Sequence, residues 1–161
     1  MNNIADAIVG GWSLEGFLTL QSGQPIAIIN DASRLTDGNQ RPNVVCSQLR
    51  TGISFHEAAR TGAAYLNQAC FEDPGDNIPG NAPRHFSNLR GDGIRNLDMS
   101  LTKEFKIHER AQLQIRAEMF NVANHQRFAF PDIASGADGF GTVTETRNNY
   151  RRMQFGARLQ F

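Results

Sequence analysis

The last ten residues of the chain alternate strictly between apolar and polar side chains. Counting back in twos from the end, the apolar set is Phe161, Leu159, Ala157, Phe155 and Met153. The set between them is Gln160, Arg158, Gly156, Gln154 and Arg152. Because successive side chains of a β-strand point to opposite faces, this segment predicts a strand with one apolar and one polar face. Such a strand suits the wall of a transmembrane β-barrel, and equally the last strand of a soluble half-buried sheet.

Three further segments show the same alternation. Together with the last strand, over about 151–161, they predict strands over about 11–21, 96–107 and 111–122. Each segment is about as long as a strand that crosses a bilayer at a tilt. Because only His108, Glu109 and Arg110 separate the second and third segments, these two are predicted to form a hairpin.

One register of this hairpin keeps both faces consistent. It pairs Ile107 with Ala111, Phe105 with Leu113, Leu101 with Ala117, Met99 with Met119, Thr102 with Arg116 and Glu104 with Gln114. A slip of one residue would mix the apolar and polar faces. The alternation therefore predicts the pairing as well as the strands.

The polar face carries many charges of both signs. We predict that they line the polar interior of a large barrel, although a solvent-facing sheet surface would look much the same. These residues are Asp98, Glu104, Lys106, Arg116, Glu118, Arg152 and Arg158. Two residues break the alternation, since Phe17 falls on the polar face and Lys103 on the apolar face. A lysine at the bilayer midplane costs about 2–4 kcal/mol, so we expect Lys103 to extend its ammonium group to the lipid headgroups.

The connections between the strands differ greatly in length. Residues 22–95 and 124–150 form long excursions, whereas 108–110 is a minimal turn. Outer-membrane barrels have long external loops and short periplasmic turns, so we expect both excursions to be external and residues 1–10 to be periplasmic. The pattern Ser54-Phe55-His56-Glu57 predicts a short helix around 55–60 with Ser54 as its N-cap.

Two cysteines lie in the first excursion. Cys46 and Cys70 allow one internal disulfide in an oxidising compartment, with two free thiols as the alternative. Four aromatic or apolar residues near the second excursion allow two interpretations. We favour an aromatic girdle at the membrane interface, and the alternative is that they pack against the loop; they are Phe120, Val122, Phe128 and Phe130.

Several segments in order resemble one known family. They are GGWSLEGFLTLQSGQP, AAYLNQACFEDP, NLRGDGIRNLDMSLTKEFKI, ERAQLQIRAEMFNVANHQRF and the terminal RRMQFGARLQF. Together they resemble the C-terminal end of TonB-dependent outer-membrane receptors, in the group with an N-terminal carboxypeptidase-regulatory-like domain. The alternating residues that end in Phe161 also resemble the signature read by the barrel-assembly machinery of bacterial outer-membrane proteins.

The resemblance implies a barrel of about 22 strands with a plug. It also implies that TonB contacts only a missing N-terminal part, and that the missing barrel strands and plug are partners of this chain. We therefore expect all of 1–161 to be the C-terminal part of an outer-membrane β-barrel in the cell outer membrane, in contact with its lipid. It would supply wall, external loops and assembly signal. The absence of a signal peptide is expected if residue 1 is not the natural start.

No pattern in the sequence indicates catalysis, a cofactor or a metal site. The four histidines are scattered, and a net formal charge of zero gives no field to attract nucleic acid. The fold class expected is all-β, an open curved antiparallel sheet of about four long strands, because the smallest single-chain barrels use about eight. The alternatives are a complete soluble β-sheet binding module and a four-stranded subunit of an oligomeric outer-membrane pore. We expect the isolated chain to aggregate or to need partner strands.

Overall fold

The computed structural model describes residues 8–32, 34–36, 38–108 and 111–161. The chain divides into two compact units. The sheet unit comprises Arg95–Gln126, Asn149–Phe161 and the described part of Met1–Leu20, and the loop unit comprises Gln21–Ile94 and Arg127–Asn148. No helix in the described ranges is long and apolar enough to cross a membrane.

Within the described residues, the main strands and helices follow one another along the chain. The strands are β1 (Trp12–Gln21), β2 (Ile29–Asn30), β3 (Asn43–Val44), β4 (Phe71–Glu72), β5 (Ile94–His108), β6 (Ala111–Phe120), β7 (Ala134–Ser135) and β8 (Arg152–Gln160). The helices are α1 (Phe55–Thr61) and a 3₁₀ turn (Gln68–Cys70).

The sheet unit is built on an open four-stranded sheet in the order β1-β5-β6-β8. β6 pairs antiparallel with both β5 and β8. The expected fold class, an open antiparallel sheet with one small helix, is confirmed. β6 ends at Phe120, short of the predicted residue 122, because Asn121 turns the chain with φ 51° and donates its N–H to the Asp98 carboxylate at 2.8 Å.

The register of β5 with β6 agrees with the alternation at five of the six predicted pairs. Phe105 pairs with Leu113, Glu104 with Gln114, Thr102 with Arg116, Leu101 with Ala117 and Met99 with Met119. The sixth pair is wrong: Ala111 pairs with His108, because a bulge between Lys106 and His108 makes Ile107 an extra residue. The turn residues Glu109 and Arg110, like residues 1–7 of the expected periplasmic segment, lie outside the described residues.

The loop unit has a hydrophobic core of its own. The two long excursions contribute together to this core. The ring of Phe71 packs edge-on against the rings of Phe86 and Phe140, with centroid separations of 6.0 and 5.5 Å. β2 pairs parallel with β7, and β3 pairs antiparallel with β4. The core residues are Ile26, Ile28, Leu49, Ala58, Tyr65, Leu66, Cys70, Phe71, Ala82, Phe86, Leu89, Phe128, Phe140 and Val143. These segments, predicted from the sequence as loops with one short helix, therefore pack as one folded unit.

The helix α1 is capped at both ends. Ser54 Oγ accepts the Glu57 N–H at 3.1 Å, which is the N-cap that the sequence predicts. Gly62 ends the helix in the left-handed region, with φ 73°, and its N–H reaches the Ala58 carbonyl at 2.9 Å. The helix buries Ala58 in the core of the loop unit.

Candidate functional site

The apolar face of the sheet presents large uncovered side chains. The register aligns them in rows across three strands, of which Leu101–Ala117–Phe155 is one. Phe155 is 78% exposed and Phe161 is 99% exposed. The other exposed members on β1, β6 and β8 are Trp12, Leu14, Leu18, Leu20, Ile115, Met153 and Leu159. A contiguous apolar surface of this kind is rare on soluble monomers and marks contact with a partner or a membrane.

The residues proposed as the assembly signal all lie on β8 or directly after it. Met153, Ala157 and Leu159 pair with Met119, Ile115 and Leu113 of the apolar face. Phe155 pairs with Ala117 of the same face, and Phe161 follows the strand. All five side chains are exposed, so they remain accessible in this chain.

The opposite face carries the charges that the sequence assigns to it. The register aligns Glu104 with Gln114 and Arg158, and it aligns Lys106 with Gln112 and Gln160. Arg116 and Glu118 lie on the same face of β6. Arg152 of β8 also lies on this face, where it pairs with Phe120 of β6. Asp98 accepts hydrogen bonds from Asn96 Nδ2 and the Asn121 backbone, at 2.9 and 2.8 Å. This face therefore carries polar and charged side chains across β5, β6 and β8.

Part of the polar face is organised by side-chain hydrogen bonds. Arg116 Nε contacts Ser100 Oγ at 3.1 Å and the Glu118 carboxylate at 2.9 Å. The other Glu118 oxygen accepts from Gln154, and Gln114 donates to Glu104 at 3.0 Å. These contacts connect β5, β6 and β8 and hold the charges in fixed positions.

A shallow groove on this face brings together two aromatic residues. Phe17 of β1 and Phe120 of β6 line it, together with Glu15, Asp98, Met99, Ser100, Arg116, Glu118 and Gly16. Phe17 is visible in the sequence as an exception to the alternation. The prediction that Phe120 belongs to a membrane girdle is wrong, because its register partner is Arg152 of the polar face.

The girdle prediction also fails for Phe128 and Phe130, and the alternative of packing against the loop is correct for both. Phe128 is buried in the core of the loop unit, and Phe130 packs against that core. Arg147 lies over the Phe130 ring at 5.1 Å. Val122 is half-buried, and its N–H donates to the Leu97 carbonyl at 2.8 Å.

Lys103 does not extend toward headgroups as the sequence suggested. It is only 4% exposed, and its ammonium group donates to the Gly10 carbonyl and, at 3.3 Å, to the Ile8 carbonyl. Lys103 Nζ also lies over two aromatic rings, 5.0 Å from the ring centroid of Trp12 and 5.1 Å from that of Phe105. The lysine therefore fixes the segment before β1 against β5, and its charge is satisfied on the apolar face.

Replacing Lys103 by methionine is expected to release this segment. Trp12 Nε1 also donates to the Ile8 carbonyl, at 2.9 Å, so both side chains share one anchor. Hydrogen bonds to a charged group contribute about 1.5–3 kcal/mol, and their loss should lower the fluorescence anisotropy of Trp12. Lys106→Met on the other face is the control. Equal anisotropy in the two variants would contradict this role for Lys103.

The structure joins Cys46 and Cys70 in a disulfide within the loop unit. Cys70 is fully buried in the core, and its sulfur lies 3.1 Å from the Gln48 carbonyl. No three His, Cys, Asp or Glu side chains of the described chain lie close enough to hold a metal ion. In the same unit, the hydrogen bond from Arg34 to Asp76 and the charges of Asp76 and Asp73 raise the pKa of Arg34 above its usual value.

Comparison with known proteins identifies a family. A family model described as an outer membrane beta barrel domain matches residues 1–154, which is nearly the whole chain. Searches of curated proteins and of solved structures return no significant match.

Proposed function

The chain belongs to the outer membrane β-barrel domain family, and on that premise we propose that it forms wall and external loops of a TonB-dependent transporter. The observation that carries the proposal is the register of β5, β6 and β8, which separates an uncovered apolar face from a charged one. The ordered resemblance to the C-terminal end of TonB-dependent receptors supports the finer assignment. The family suggests an outer-membrane location. We propose no catalytic role.

The sheet needs further strands to complete a barrel. β1 and β8 lie at its two ends, and each pairs with a neighbour on one side within the described chain. In lipid, each unpaired backbone group at such an edge costs several kcal/mol. We propose that strands of the same transporter pair with both edges, and that its plug and TonB-contacting part also lie outside these residues. A soluble binding module is disfavoured because it would leave the apolar face exposed to water.

The proposed assembly role of the C-terminus predicts a large effect from a small change. In bacterial cells that express the chain with a secretion signal and its partner strands, Phe161→Ala should reduce the outer-membrane fraction several-fold, because the exposed terminal ring is what the barrel-assembly machinery would bind. Gln160→Ala, the adjacent residue on the polar side, is the control and should leave the fraction unchanged. Membrane fractionation with immunoblotting measures both. Recovery of the unaltered chain as a soluble periplasmic protein would contradict the proposal.

A further inference from the structure

A cleft in the loop unit is lined by positive side chains. Its volume is about 440 Å³, and three stretches of chain form it, around residues 27–29, 39–41 and 84–85. The lining comprises Ala27, Ile28, Ile29, Asn39, Arg41, Arg84 and His85. The lining therefore includes two arginines and a histidine and, among the described residues, no aspartate or glutamate.

These arginines differ from others in the same unit. Arg34 forms an ion pair with Asp76, and Arg60 forms one with Glu57 at 2.7 Å. Within the described ranges, neither Arg41 nor Arg84 has a carboxylate partner. Arg41 and Arg84 both carry a positive charge at this one cleft, and an anion bound between them would pair with both.

The walls of the cleft are held in place by the fold. Arg41 Nη1 donates to the Ala82 carbonyl at 2.7 Å, and the Ala82 N–H donates to the Pro42 carbonyl at 3.1 Å. Gly80 packs so closely that a Cβ atom there would lie 2.0 Å from the Arg41 carbonyl oxygen. Ile28 is buried in the core beneath the cleft. The Arg41 guanidinium is therefore already positioned near the chain that carries Arg84, which lowers the ordering cost of binding.

We propose that this cleft binds a phosphate dianion. Arginine forks bind phosphate oxygens with paired, charge-assisted hydrogen bonds, and two of them balance a charge of −2. The Asn39 amide and the His85 ring supply further N–H donors beside them. The site is independent of the proposed transporter role, because every residue that forms it lies in the loop unit.

A titration of the full chain in phosphate-free detergent micelles tests the site. Inorganic phosphate, added at constant ionic strength, should give saturable NMR shifts at the Asn39 amide and at the Nε–H groups of Arg41 and Arg84. Arg84→Gln and Arg41→Gln should each weaken binding about ten-fold, the loss expected when one charged hydrogen-bonding partner is removed. Arg60→Gln, which removes an exposed and paired arginine of the same unit, should leave the affinity unchanged.

Two further titrations, with phosphatidic acid and with acetate, identify the source and the chemical class of the anion. Saturation by phosphatidic acid in bicelles, without saturation by inorganic phosphate, would support the same chemistry with a lipid headgroup as its source. Acetate that binds as tightly as phosphate would overturn the assignment to phosphate. Shifts that do not saturate, or that weaken equally in Arg60→Gln and Arg84→Gln, would overturn the site itself. Unchanged amide exchange at Ile26 and Phe86 in each variant shows that the core is intact.

Discussion

Replacing Phe155 by arginine is expected to destabilise the chain in lipid by about 2–4 kcal/mol, whereas Gln154→Arg should change its stability little. Phe155 lies on the apolar face in the row Leu101–Ala117–Phe155, and its side chain is exposed. Gln154 precedes it on the polar face and already contacts Glu118, so a cation there gains a partner. The two variants therefore place the same charge one residue apart on opposite faces.

Urea unfolding in phospholipid vesicles measures this difference, with the partner strands present to complete the barrel and their tryptophans replaced. Trp12 is the single tryptophan of the chain and belongs to β1, so its fluorescence reports on the sheet. Equal loss of stability in the two variants would show that lipid does not distinguish the faces. A larger loss for Gln154→Arg would mean that the face assignment is reversed.

Removing the disulfide is expected to lower the free energy of unfolding of the loop unit by about 3 kcal/mol. Cys46 and Cys70 are 24 residues apart, and closing a loop of that length restricts the unfolded chain by about this amount. The double variant Cys46→Ala/Cys70→Ala leaves no unpaired thiol, and a reductant acting on the unaltered chain should reproduce its effect. Ser47→Ala, an exposed neighbour of Cys46, is the control.

Amide hydrogen exchange in the core of the loop unit measures this loss. The Ile26 N–H donates to Leu89 and the Phe86 N–H to Ile26, each at 2.9 Å, so both report on opening of that core. Their exchange should accelerate about 100-fold in the double variant. Exchange that stays within a few-fold of the unaltered chain would show that the hydrophobic core alone holds the unit together.

The long strands could be predicted from the sequence because the alternation of apolar and polar residues that identifies them is local and periodic. A period of two assigns each side chain of β6 to a face, and pairing like faces with like gives the register with β5. The bulge at Ile107 could not be predicted from the sequence, because an extra residue beside a turn leaves the alternation on either side unchanged. Phe120 was misassigned for a related reason: its residue type indicated a membrane girdle, whereas its position in the period indicated the polar face.

The other features of the fold and of the sites depend on contacts between residues distant in sequence, which no local pattern predicts. The core of the loop unit joins residues as distant as Ile26 and Val143, and its segments have no common period. Lys103 was seen as an exception, but its partners are backbone carbonyls of Ile8 and Gly10, which any residue type would supply. The cleft formed by Arg41, Arg84 and His85 likewise appears only once separate segments have folded together.

An accessibility scan along β6 and β8 in lipid bicelles, with the partner strands present, shows directly whether the apolar face contacts lipid. Single nitroxide labels replace successive residues, and relaxation is measured with oxygen, which concentrates in lipid, and with a nickel chelate, which stays in water. We predict that oxygen access peaks at Leu113, Ile115 and Ala117 and, in register, at Leu159, Ala157 and Phe155. Nickel access should peak at the residues between them. Adjacent positions with the same access to both reagents would contradict a sheet whose apolar face contacts lipid.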